Sequence, residues 1–181
     1  DTVALSECKD CEIGTFQNTT GATSCFNCAI GLFQDNKGFN NCKTCAKKTE
    51  SLVEKSHVCT LCRLGRYKAT SSNFECQKCG TGKYQSSTGA EQCNNCPLGK
   101  SSDSTGSTAL DDCKICQQGT YTISPGSKCS TCPKGKYQDQ EGQSGCKQCE
   151  KGKYVSDDSL SAFKHIECTI CPAGAFNNKI K

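Results

Sequence analysis

The sequence predicts a small disulfide-rich fold of β-hairpin repeats, laid out as an elongated tandem array or rod with almost no helix. Three observations carry that prediction. Cysteine supplies 20 of the 181 residues, whereas Leu, Ile, Val and Phe together supply 26, and Met and Trp are absent. No large apolar core can form from that composition, so cross-links have to restrict the chain instead. Every cysteine belongs to a Cys-x-x-Cys pair, and six of the nine intervals between successive pairs are 17 residues. The segments between pairs carry glycine and aromatic residues at fixed offsets, and no helix-period apolar stripe runs anywhere.

Counted from the second cysteine of each pair, glycine stands at +3 in nine of ten units, from Gly14 and Gly31 to Gly174. Phe or Tyr stands at +5 in eight: Phe16, Phe33, Tyr67, Tyr84, Tyr121, Tyr137, Tyr154 and Phe176. A second glycine stands at +10 in six of the nine complete units, as in Gly21, Gly89 and Gly142. Positions +3 and +5 fall on one face of an extended strand, so the ring would lie over a residue without a side chain. The +10 glycine sits in polar stretches such as Asn18-Thr19-Thr20, where a hairpin tip needs positive φ. Each strand of about seven residues would extend up to ~23 Å.

The whole of 1–181 reads as one continuous array of about ten 17-residue repeats, with lengthened loops at 97–112 and 150–167. Unit 45–59 has Lys48, Glu50 and Lys55 in place of glycine, aromatic and glycine, so its hairpin should be the least regular. In the 97–112 loop Ser101 replaces the aromatic.

Cys-x-x-Cys admits three chemistries. A redox dithiol is a single pair within a βαβ setting, and ten copies outside one argue against it. Zinc sites would couple the pairs two by two with a different linker between sites, but the same segment signature follows every pair. Structural cystine remains, so no metal or cofactor is expected. The connectivity that preserves the repeat joins the second cysteine of each unit to the first of the next. That gives Cys11–Cys25, Cys28–Cys42, Cys45–Cys59, Cys62–Cys76, Cys79–Cys93, Cys96–Cys113, Cys116–Cys129, Cys132–Cys146 and Cys149–Cys168. Each closed loop of this size stabilises by about 3 kcal/mol in the chain-entropy model. A crossed pattern within couples of units, such as Cys8–Cys25 with Cys11–Cys28, remains open.

In the symmetric pattern Cys8 and Cys171 are left unpaired within the segment. The unit opened by Cys171 has no closing cysteine before Lys181, so the array is expected to be incomplete at both ends and part of a longer protein. A sharper alternative links copies head to tail through Cys171 and Cys8.

The run C-P-K-G-K-Y-Q-D-Q-E-G-Q-S-G-C-K-Q-C from Cys132 to Cys149 resembles the ephrin-receptor-like cysteine-rich repeat. Its opening C-P-x-G-x-Y is similar also to that of tumour-necrosis-factor-receptor cysteine-rich modules. The resemblance covers Cys8 to Phe176 and implies an extracellular, glycine-rich, disulfide-laddered β structure. It does not imply ephrin or cytokine binding, because no ligand-contacting motif can be matched residue by residue.

Other chemistry is sparse. His57 and His165 lie in the least typical stretches and read as exposed loop residues without a nucleophile partner, so no catalytic constellation is expected. The doublets Asp111-Asp112 and Asp157-Asp158 offer too few oxygens for calcium and read as solvated loop charge. Asn18 opens a glycosylation sequon. Position +4 is basic in Arg66, Lys83, Lys100, Lys136 and Lys153, a candidate strip for acidic glycans or an acidic subunit, against ordinary solubilising charge. Basic residues dispersed among 18 acidic ones exclude nucleic acid, and no apolar run approaches the roughly 20 residues of a membrane span. The sequence therefore predicts a non-enzymatic extracellular structural segment, a stalk, spacer or fibre component of a cell-surface appendage or coat. Its partners would be other copies or other subunits of an extracellular assembly. The alternative is a ligand-binding receptor ectodomain, with contacts in units 45–59 and 149–168.

Overall fold

Two residues after the start of each loop the backbone has to reverse, and this turn sets the rest of the repeat. Gly14, Gly31, Gly65, Gly82, Gly99, Gly119, Gly135, Gly152 and Gly174 all adopt positive φ, from +73° to +85°, a region that costs a side-chain-bearing residue about 1–2 kcal/mol. The turn is closed by the residue that follows the glycine, as where the Thr15 amide donates to the Glu12 carbonyl at 3.0 Å. The +3 glycine thus precedes the strand and does not share a strand face with the +5 ring, contrary to the expectation from strand alternation.

The computed structural model describes residues 7–72, 74–155 and 165–178. Within them the chain forms antiparallel two-stranded hairpins and almost no helix. Two compact units are present: residues 1–78 with 87–92, and residues 79–86 with 93–181.

In the first unit, strand Thr15–Phe16 pairs with Phe26–Asn27, Leu32–Phe33 with Lys43–Thr44, Thr49–Glu50 with Thr60–Leu61, and Arg66–Tyr67 with Gln77–Lys78. In the second, Lys83–Tyr84 pairs with Asn94–Asn95, Lys100–Ser101 with Lys114–Ile115, Thr120–Tyr121 with Ser130–Thr131, Lys136–Tyr137 with Lys147–Gln148, and Lys153–Tyr154 with Thr169–Ile170. A 3₁₀ turn, Leu110–Asp112, lies in the lengthened 97–112 loop. Each strand is two residues long, not about seven. Beyond the short ladder and its closing turn, further backbone groups of a repeat bond to the neighbouring repeats.

Three such inter-repeat bonds recur at constant offsets. The +3 amide donates to the next repeat's +6 carbonyl, as from Gly14 to Gln34 and Gly31 to Ser51 in the first unit, and from Gly119 to Gln138 in the second, at 2.7–2.8 Å. The +6 amide donates to the next +11 carbonyl, as from Gln34 to Ser56 at 3.1 Å and Gln85 to Ser107 at 3.0 Å. The +10 amide donates back to the second cysteine of the preceding repeat, as from Gly38 to Cys11, Lys55 to Cys28, Gly106 to Cys79 and Gly142 to Cys116, at 2.7–2.9 Å.

This stacking explains the glycines sterically. A Cβ on Gly14 would overlap the carbonyl of Lys55, and Cβ atoms on Gly82 and Gly99 would overlap the carbonyls of Gly126 and Gly142. In each case the obstacle is the +10 residue two repeats further on.

Unit 45–59 is as regular as its neighbours, against expectation. Lys48 and Lys55 take the glycine conformation themselves, with φ of +69° and +58°, because the bonds they make are backbone bonds that any residue supplies. Cystine forms the core: the buried apolar residues among those described are eleven cysteines and Val155.

Candidate functional site

The disulfides tie each hairpin at its base. Cys11 joins Cys25, and in the same way Cys28–Cys42, Cys45–Cys59, Cys62–Cys76, Cys79–Cys93, Cys96–Cys113, Cys116–Cys129, Cys132–Cys146 and Cys149–Cys168, with Cα–Cα distances of 5.6–5.9 Å.

Apart from the cystines, the most consistently buried side chain of the repeat is one that sequence reasoning overlooked, at +6. Gln34, Ser51, Lys68, Gln85, Ser102, Thr122, Gln138 and Val155 are all buried there. The glutamines close their own loops: Gln34 Nε2 donates to the Asn41 carbonyl at 2.6 Å while its Oε1 accepts from the Asn36 amide at 3.1 Å. Gln138 does the same with Gly145 and Gln140. The recurrence of Gln at 17, 34, 85 and 138 was the available signal.

At +6 of the fourth hairpin, lysine replaces this glutamine, and at +5 of the third, glutamate replaces the ring. Both side chains are fully buried. Lys68 Nζ reaches back to the carbonyls of Cys45 and Thr49 at 3.0 and 2.9 Å, and Glu50 Oε2 reaches forward to accept the Cys76 amide at 2.8 Å. The two repeats are therefore clamped reciprocally by side chains. Burial pushes the Lys68 pKa below the ordinary lysine value, while the negative charge of Glu50 acts in the opposite direction. The only two buried side-chain oxygens without a partner, among the described residues, are Glu50 Oε1 and Ser101 Oγ. These are the two +5 positions that depart from the aromatic.

Residues 50–91, 73–113 and 119–165 each match the family described as tyrosine-protein kinase ephrin type A/B receptor-like, and together they span more than half of the chain. The chain belongs to the ephrin-receptor-like repeat family. No curated protein sequence matches it. Ephrin-receptor-like repeats are an extracellular, non-catalytic type of module, and the cystine core is of a piece with that setting.

The remaining predicted residues are scattered over these ephrin-receptor-like repeats and form no common centre. Asn18 is exposed in the loop between Thr15–Phe16 and Phe26–Asn27. Cys8 is an exposed free thiol and Cys171 a half-buried one. His57 is exposed. His165, expected on the surface, is fully buried, and its carbonyl accepts the Gln138 amide at 2.8 Å. The extra loop residues before it let His165 take the structural place that position +11 holds elsewhere. Asp112 is not idle loop charge: its Oδ2 accepts the Thr108 and Ala109 amides at 2.7 and 3.1 Å. Asp157-Asp158 lie outside the described residues. Of the basic +4 residues, Arg66 donates to the Cys76 carbonyl at 2.7 Å and keeps its charge, whereas Lys153 pairs with Glu150 at 2.9 Å. No three His, Cys, Asp or Glu side chains among the described residues group as a metal site, and no helix of the described residues is long and apolar enough to cross a membrane.

Proposed function

We propose that this chain is a structural segment of an extracellular protein, serving as stalk, spacer or fibre component of a cell-surface appendage or coat. One observation carries the reading. The backbone bonds from repeat to repeat recur at the same offsets in both units, hairpin 96–113 departing where the Gly99 amide donates to the Thr122 hydroxyl, so most added repeats contribute a similar increment of structure. Family membership and nine disulfides support an oxidising, extracellular setting. Its partners are other copies or other subunits of the same assembly, and Asn18 carries an N-glycan on the exposed loop.

Small-angle scattering of the secreted chain tests this. A stalk has a radius of gyration well above the about 16 Å expected of a compact chain of this length, and deleting residues 132–148, one whole repeat, shortens the maximum dimension without loss of folding. A radius near the compact value overturns the reading.

A further inference from the structure

Hairpin 96–113 departs from the other repeats in two ways that meet at one place. Ser101 stands where eight repeats carry a ring, and the loop behind it is three residues longer than usual. In two ring-bearing hairpins a lysine from the opposite strand lies over the +5 ring, Lys43 over Phe33 at 6.0 Å and Lys147 over Tyr137 at 5.9 Å. Here the residue opposite is Lys114, and Ser101 offers it no ring. A cavity of about 330 Å³ opens at this point, lined by Ser101, Ser102, Ser104, Ser107, Asp112 and Lys114 among others.

The lining has the chemistry of alcohol recognition. Ser101 is 5% exposed and its Oγ has no partner. Ser102 Oγ and Ser107 Oγ lie 2.6 Å apart and share one hydrogen bond, and the pair's second proton goes to the Ser104 carbonyl, 3.3 Å from Ser102 and 3.4 Å from Ser107, so the two hydroxyls are left to a ligand as acceptors. The amides of Thr108 and Ala109 hold the Asp112 carboxyl below the usual carboxylate range, so it stays ionised at neutral pH as an acceptor for hydroxyls. Lys114 donates to the Asp111 carbonyl at 3.0 Å and has further N–H groups to offer. The charged lining residues are Asp103, Asp112 and Lys114, a net of one negative charge that disfavours acidic ligands. The volume lies at the small end of ligand pockets, which run from about 300 Å³ upward. It admits one ring and not an extended chain.

We propose that this cavity binds a single neutral pyranose ring of a glycan, in the space that the other repeats fill with their own aromatic side chain. The site does not depend on the stalk reading.

The test is an NMR titration of the full, oxidised chain with the methyl pyranosides of glucose, galactose, mannose and N-acetylglucosamine. At least one produces saturable shifts confined to the amides of 101–107 and 112–114. Ser101→Tyr restores the ring of the repeat and weakens that binding at least tenfold. Ser104→Tyr, a change at an exposed rim position, gives the same loss without altering a buried strand residue. The absence of saturable shifts with all four probes up to roughly 100 mM overturns the proposal. So does undiminished binding by a folded tyrosine variant, or a glycan covalently attached at Ser104 or Thr105 in the secreted protein.

Discussion

The Lys68 ammonium donates to the Cys45 carbonyl at 3.0 Å, so a side chain of one repeat is anchored on the cystine of the repeat before it. Glu50 returns the contact through the Cys76 amide. Truncating Lys68 takes the donor away from the Cys45 and Thr49 carbonyls, and a polar group left buried without its partner costs about 1–3 kcal/mol. Lys68→Met alone should therefore lose stability of that order in urea unfolding. The double change Glu50→Tyr with Lys68→Gln restores the residues that other repeats carry at +5 and +6, and should recover most of it. A double variant no more stable than Lys68→Met would refute the coupling.

Lys68 also sets an alkaline pH dependence. Burial holds its pKa in the folded chain below the ordinary 10.5, so between the two values the unfolded chain binds more protons than the native one. Native stability contributed by this group is then complete above about 10.5 and is lost as pH falls through the folded value. Relative to Lys68→Gln, the wild type should gain stability as pH rises towards 10.5, measured with Cys8 and Cys171 alkylated to prevent disulfide exchange. A difference that stays flat or falls contradicts the assignment.

The +3 glycines separate two costs that sequence alone merges. Gly152 has positive φ but nothing within 4 Å of a Cβ, whereas a Cβ on Gly99 would overlap the Gly142 carbonyl. Gly152→Ala should cost about 1–2 kcal/mol, the price of the left-handed conformation alone. Gly99→Ala adds a collision with backbone and should cost at least about 2 kcal/mol more. Equal losses at the two positions, by denaturant midpoint, would remove the steric account of the stacking.

Much of this was legible because it is local. The cysteine period, the positive-φ turn at +3 and the +5 aromatic belong to one hairpin, and a 17-residue spacing displays them, although the close approach that excludes a Cβ at Gly14, Gly82 and Gly99 comes from two repeats further on. What was not legible lies between hairpins. The bonds from Gly31 to Ser51 and from Gly38 to Cys11 are backbone bonds that leave no residue signature. The +6 position is buried yet holds Gln, Ser, Lys, Thr or Val, so no apolar pattern marks it. His165 was misplaced because the inserted residues move it away from the count at which its structural equivalents occur. The hairpin at 45–59 looked broken because lysine was read as unable to turn, whereas Lys48 and Lys55 do so at a cost.

That cost is itself measurable. Lys55 holds φ at +58° with no ion pair among the described contacts, and relief of a left-handed side-chain residue returns about 1–2 kcal/mol. Glycine also loses about 0.4–1 kcal/mol through the freer unfolded chain, which leaves a net gain for Lys55→Gly of about 0.5–1 kcal/mol. Lys48 differs, because its Nζ lies 3.4 Å from Glu91 Oε1 across two repeats, an exposed pair contributing about 0–1 kcal/mol. Lys48→Gly should accordingly come out near neutral while Lys55→Gly raises the denaturant midpoint. If Lys55→Gly lowers it instead, the left-handed backbone at this position is sustained by side-chain contacts and not merely tolerated.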